Sequence, residues 1–126
     1  MIRCPDPACA DAFDLALARE FSDPEYFAVH QLTVAAYRLE HPEGTSDHAL
    51  AVLREVLRAS CDDGLDGPAL RRHVRETGRR LRDDPPAPLP RPVPRHPSGV
   101  LAVAGARDAG EHVALVRAWA LRLRDA

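Results

Sequence analysis

The chain has 126 residues, a formal net charge of −2, and aromatic residues at only 5% of its positions. This length allows one domain with a modest core, and no apolar run approaches the roughly 20 residues that a membrane-spanning helix needs. The N-terminus also lacks the basic and then apolar pattern of a signal peptide. We therefore expect a soluble, cytoplasmic protein with no membrane partner.

Capping residues predict the first two helices. Residues 6–7 (Asp-Pro) favour the start of a helix that continues over residues 8–21. Residues 22–24 (Ser-Asp-Pro) then predict a break and a restart, after which a central helix runs over residues 24–41. The apolar side chains that the first helix is expected to bury are Phe13, Leu17 and Phe21.

The same signals predict two more helices. Thr45 or Ser46 is expected to cap a third helix that ends near Gly64. Residues 66–68 (Asp-Gly-Pro) then begin a fourth helix, which ends by Asp84.

A proline-rich segment separates the last helix from the others. Residues 85–97 contain seven of the twelve prolines and predict an extended, polyproline-like connector. For residues 99–106 we favour a helical turn, because a lone strand would have no partner. Asp108 is expected to cap a last helix over residues 109–124, with an inner face of His112, Leu115, Val116, Trp119 and Leu123. The prediction is an all-α, single-domain bundle of about five helices over residues 1–126.

The central helix carries apolar and aromatic residues on two opposite sides. At about 100° per residue, one stripe falls within roughly 80°; it contains Phe27, His30, Val34, Tyr37 and His41. The opposite stripe contains Val29, Leu32, Ala36 and Leu39. A helix that is apolar on two sides packs on two sides, so the His/Tyr stripe is expected to face the core or a pocket within it.

This stripe carries the candidate chemistry. His30 and His41 lie about 16 Å apart along the helix axis, too far to bind one metal ion directly, whereas Tyr37 is only about 6 Å from His41. The pattern favours general acid–base chemistry on a small organic substrate, without a cofactor. The predicted catalytic residues are His30, Tyr37 and His41. The predicted substrate-binding residues are Gln31, Val34, Phe27, His112 and Trp119.

Two alternatives remain open at this point. The same rings could form a hydrogen-bonded core network that fixes helix register in a non-catalytic interaction module. A histidine could also bind a metal ion together with residues of other helices or subunits, such as His112, Glu20 or Glu25. An exposed apolar face on the last helix could support a homodimer.

Charge is divided unevenly along the chain. Residues 1–66 carry a net charge of −8 and residues 67–126 a net charge of +6. The fourth helix concentrates arginines on one face: Arg71, Arg72, Arg75, Arg79 and Arg82. A solvated face is expected rather than a nucleic-acid surface, because the chain as a whole is acidic and no aromatic residues are interleaved with the arginines.

Two segments resemble an uncharacterised bacterial family, the DUF5946 family. These are EFSDPEYFAVHQLTVAAYRLEHP, residues 20–42, and EHVALVRAWA, residues 111–120. The resemblance implies signature positions at His30, Gln31, Tyr37, His41, His112 and Trp119, and it implies no particular reaction. Family members usually have a longer cysteine-containing leader, so a metal-binding role of Cys4 and Cys9 is in doubt. The expected function is a small enzyme or ligand-binding protein of bacterial metabolism, with a specialised biosynthetic pathway as one setting.

Overall fold

Seven α-helices make up the regular structure of residues 7–87, 89–93 and 97–125, the part of the chain that this computed structural model describes. They are α1 (Pro7–Ser22), α2 (Pro24–Phe27), α3 (His30–Glu40), α4 (Asp47–Asp63), α5 (Gly67–Asp83), α6 (Val100–Ala104) and α7 (Ala109–Asp125). Five of them have 11 residues or more. No strand occurs in the described ranges, which confirms the all-α prediction.

Capping hydrogen bonds between residues close in sequence set the boundaries of α4 and α7. The Ser46 hydroxyl accepts from the backbone N–H of Ala49 at the start of α4, and Gly64 ends that helix in the left-handed conformation, with φ of 68°. Asp108 accepts from the backbone N–H of Glu111 at the start of α7. These caps confirm the predicted limits of both helices to within one or two residues.

The predicted central helix is not continuous. It divides into α2 and α3, which are separated by Ala28 and Val29. Asp23 caps α2 by accepting from the N–H of Glu25, but Val29 has φ of −106° and ψ of 12°, outside the α-helical region. The prediction of one helix over residues 24–41 is therefore wrong.

The buried face of α1 also differs from the predicted one. Its buried residues are Cys9, Ala12, Ala16 and Glu20, whereas Phe13 and Leu17 are only half-buried and Phe21 is 68% exposed. Small side chains on this face let α1 lie close to α6 and to the α2–α3 segment, its neighbours in the fold. The expectation that Phe21 is buried is wrong, because the helix turns its small residues and a carboxylate inward.

One hydrophobic cluster joins all the helices except α2. Its largest member is Trp119 of α7, which is 1% exposed and packs over Gly99 at the start of α6. The α6 helix contributes Val100 and Val103, so the predicted turn over residues 99–106 is confirmed as a short helix. Other buried members include Leu32, Leu39, Leu50, Val56, Leu57, Leu70 and Val116.

The proline-rich connector is held against the α3–α4 loop. Its described residues, 85–87, 89–93 and 97, contain no helix or strand, while residues 88 and 94–96 lie outside the described part. The Arg91 guanidinium donates to the carbonyl oxygens of Pro42 and Thr45, at 3.1 and 2.8 Å, and pairs with Asp47. The connector therefore has a defined path along α4.

Among the described residues, no helix combines the length and apolar character that crossing a membrane would require.

Replacement of Gly99 by Ala is expected to destabilise the fold, because a Cβ at this position would overlap the Trp119 indole. Overpacking of a filled core costs about 1–3 kcal/mol, and urea unfolding should show a loss of this size. Gly110→Ala is the matched control, since its Cβ would meet only an ordinary contact with Asp108. Equal stability of the two variants would contradict the packing described here.

The lowered pKa of Glu55 makes the stability of the fold sensitive to acid. The Glu55 carboxylate accepts from Arg58 and lies 3.0 Å from His73 Nε2 on α5, and the Arg58 hydrogen bond is the main cause that lowers its pKa from 4.5 to about 2. A lowered pKa in the folded state stabilises the fold above the unfolded-state value, and this stabilisation is lost as the pH falls from 4.5 towards 2. Urea unfolding at several pH values should therefore give a shallower acid loss for Glu55→Gln than for the wild type. Glu76→Gln, at an exposed position of α5, should retain the wild-type slope.

Candidate functional site

A buried carboxylate links three helices. Glu20, in the last turns of α1, has a side chain with no exposed surface. Its Oε1 lies 2.9 Å from His30 Nδ1 on α3, and its Oε2 lies 2.8 Å from His112 Nε2 on α7. The Thr33 hydroxyl donates to Oε2 at 2.5 Å. An ionised carboxylate only accepts hydrogen bonds, so in that state both imidazoles donate their N–H groups to Glu20.

His30 is the member of this cluster that reaches the surface. Its side chain is 15% exposed, and its ring contacts Phe27, stacked at 5.0 Å, and Phe21, tilted at 4.7 Å, while these two phenylalanine rings also contact each other at 5.9 Å. Among the described residues its Nε2 has no hydrogen-bond partner, and it is not one of the fully buried polar atoms, so this nitrogen is accessible from solvent. The Arg71 guanidinium lies 5.6 Å from the Phe27 ring centre, at the edge of the same surface.

His112 is the fully buried member. Its exposure is 0%, and the edge of its ring meets the ring of Tyr26 from α2 at 4.9 Å. With Nε2 directed at Glu20, Nδ1 is buried and has no hydrogen-bond partner among the described residues. A neutral imidazole that donates from Nε2 carries a lone pair on Nδ1, and leaving it unpaired is costly. His112 thus holds Glu20 in place at some cost in stability.

Tyr37 and His41 form a separate aromatic stack. The Tyr37 ring lies 3.9 Å from that of Phe13 and 4.1 Å from that of His41. His41 Nδ1 is 2.9 Å from the carbonyl oxygen of Tyr37, to which an imidazole N–H donates. His41 Nε2 is buried without a partner in the described residues. Because Tyr37 is two turns from His30, about 10 Å along the axis, this stack is distinct from the Glu20 cluster.

The remaining predicted site residues lie elsewhere. Trp119 packs against Gly99, whose backbone N–H donates to Glu40 at the opposite end of α3 from His30. Gln31 and Val34 are half-buried, and the side chain of Gln31 forms no hydrogen bond in the described part of the chain. Of the eight predicted positions, the structure groups Phe27, His30 and His112 around one centre. It pairs Tyr37 with His41 and separates Trp119 from both groups.

The sequence predicts Glu20 only as one possible partner for a metal ion, and it gives no indication of a role for Thr33. A signal for Glu20 does exist: Ala12, Ala16 and Glu20 follow at intervals of four, on one face of α1. A carboxylate on a face of small residues either meets solvent or needs donors from neighbouring helices.

The described residues contain no group of three or more His, Cys, Asp and Glu side chains arranged to hold a metal ion. In the Glu20 cluster, both facing imidazole nitrogens lie at hydrogen-bond distance from the carboxylate oxygens. Cys9 is buried in α1. Cys4 lies outside the described residues, so the structure does not test a Cys4–Cys9 metal site.

A family model described as Family of unknown function (DUF5946) matches residues 3–126. The chain belongs to this family. No curated protein and no solved structure matches the chain. The matched range includes every residue of the Glu20 cluster and of the Tyr37–His41 stack, so both lie within the family's domain.

Replacement of Glu20 by Gln should destabilise the fold. The amide keeps the shape of the side chain, but an NH₂ group replaces one of the two carboxylate oxygens. In one orientation this NH₂ group faces the donors of His112 and Thr33, and in the other it faces the donor of His30. An unsatisfied buried polar contact costs about 1–3 kcal/mol, which chemical unfolding would measure. Glu25→Gln changes an exposed carboxylate on α2 and should leave stability almost unchanged. A Glu20→Gln protein as stable as the control would show that the cluster contributes nothing to the fold.

Proposed function

We propose that this protein is a small enzyme, or a ligand-binding protein with the same site, in which His30 exchanges a proton with a small organic substrate. The observation that carries the proposal is the arrangement of the two His30 nitrogens. Nδ1 faces a fully buried carboxylate, while Nε2 is accessible from solvent on a ring that packs beside Phe21 and Phe27. We also infer that the helices form a single bundle and that the protein works in the cytoplasm.

The proton transfer would take place at Nε2. By accepting from Nδ1–H, Glu20 fixes the tautomer and leaves the Nε2 lone pair directed away from the buried carboxylate. A proton taken from a substrate would give an imidazolium that keeps its hydrogen bond to Glu20. A carboxylate that orients an imidazole in this way recurs in unrelated enzymes. In this proposal Glu20 is a positioning residue, and Thr33 and His112 hold it in place.

The surroundings of His30 favour a flat substrate with a negative charge. Phe21 is largely exposed and Phe27 is half-buried, so both offer apolar surface next to Nε2. Arg71 lies against Phe27 and forms no salt bridge in the described residues, so its charge is free to meet an anionic group. Phe27 keeps its predicted role as a substrate contact. Catalytic roles for Tyr37 and His41 remain predictions, since their stack lies about two turns away.

A structural role for the cluster is the second candidate, and a specific observation favours it. Glu20, Thr33 and His112 are fully buried and join α1, α3 and α7 through hydrogen bonds. Hydrogen bonds between buried side chains of different helices fix the relative positions of those helices. In that case His30 would be only the outermost donor of a core network.

The two candidates differ in what His30→Gln does to reactivity. With p-nitrophenyl acetate as a planar ester probe, the proposal expects His30→Gln to lower the hydrolysis rate by at least roughly tenfold, since positioned general bases contribute this much or more. His48→Gln is the matched control, because His48 is exposed and lies on α4. Circular dichroism verifies that both variants are folded. If folded His30→Gln hydrolyses the ester as fast as His48→Gln, the catalytic proposal is wrong and the structural role stands.

A further inference from the structure

A groove with a cationic rim lies between α4 and α5, beside the end of α3. Its volume is about 740 Å³, within the range of small-molecule sites. The floor is apolar and is formed by Ala49, Val52 and Leu53 of α4 and by Val74 of α5. None of the residues of the Glu20 cluster lines this groove, so it is independent of the function proposed above.

The arginines of the rim come from two helices and have no acidic partners. Arg38 belongs to α3, while Arg75, Arg79 and Arg82 belong to α5. The guanidinium group of none of the four forms a salt bridge or hydrogen bond within the described residues. Other arginines of the chain do: Arg58 pairs with Glu55, and Arg124 pairs with Asp62. The rim therefore presents concentrated positive charge that the described part of the fold leaves uncompensated.

A glycine lies on the floor between these arginines. Gly78 is in the middle of α5, where glycine costs about 1 kcal/mol relative to alanine. A Cβ built at Gly78 would meet no atom within 4 Å, so space over this position is open. Neither packing within the described fold nor backbone conformation requires a glycine here. Its effect is to leave the floor of the groove free of a side chain.

We propose that this groove binds an aliphatic carboxylate, a single-chain molecule with an apolar tail and one anionic head. The tail would lie on the apolar floor over Gly78, and the guanidinium groups of Arg75 and Arg79 would bind the carboxylate. The lining residues include no Phe, Tyr or Trp, and the imidazole of His48 is the one lining ring on which a nucleobase could stack. The combination of an apolar floor and unpaired arginines fits an amphiphilic anion better than a nucleic acid.

Titration calorimetry with decanoate, below its micelle concentration, tests the proposal on the full chain. Decyltrimethylammonium has the same tail with a cationic head and should not bind. Arg75→Gln with Arg79→Gln should weaken decanoate binding by at least roughly tenfold, because charge-assisted hydrogen bonds to the head are lost. The matched control is Arg72→Gln with Arg122→Gln, which removes the same charge at exposed positions outside the groove and should bind like the wild type.

Gly78→Leu provides an independent variant that fills the groove. Its side chain enters open space and leucine is a better helix former than glycine, so the protein should be at least as stable as the wild type in thermal unfolding. Decanoate binding should nevertheless be lost.

Three outcomes would overturn the proposal. The first is equal binding of decyltrimethylammonium and decanoate. The second is equal weakening of decanoate binding in the two arginine pairs, which would assign the effect to net charge. The third is no decanoate binding together with binding of anionic phospholipid vesicles or of an acidic helical peptide, which would assign the groove to a membrane surface or to a protein partner.

Discussion

The burial of one carboxylate constrains the whole arrangement of helices. Removing Glu20 from water would be strongly unfavourable without donors, and its side chain has no exposed surface. The donors come from His30, Thr33 and His112, so α1, α3 and α7 have to meet at this point. The small residues that precede Glu20 on α1 allow this approach, because bulky side chains on the same face would hold the helices apart.

The same constraint explains why the cluster lies at the edge of the fold. Glu20 is near the end of α1 and His30 begins α3, so the α2 segment between them passes over the cluster. Tyr26 of α2 covers His112, while Phe27 stacks on His30. One imidazole is thereby enclosed and the other is left at the surface. This difference in burial allows two histidines that share a carboxylate to have different roles.

The Glu20 cluster and the α4–α5 groove use charge in different ways. Around Glu20 a single negative group is enclosed and satisfied by neutral or protonated donors. On α5 the arginines stand around an apolar groove whose lining residues include no Asp or Glu. The first arrangement is specified by hydrogen-bond geometry, which is short-ranged and directional. The second depends on an excess of like charge, which acts over roughly a Debye length of 8–10 Å and attracts anions from solvent.

Local sequence patterns were enough to predict the all-α class, the proline-rich connector and most helix ends, although they missed the break between α2 and α3. Caps such as Ser46 and Gly64 act within three to six residues, so local spacing is enough to predict them. Helical spacing also predicted that His30 faces the core, and the structure shows it half-buried at the edge of the Glu20 cluster. Spacing failed for α1, where a pattern based on large apolar residues selected Phe21 and overlooked Glu20. The burial of Glu20 follows from long-range packing, because its partner His112 lies 92 residues away along the chain. A carboxylate can leave water only when such distant donors converge on it, and no local pattern records that convergence.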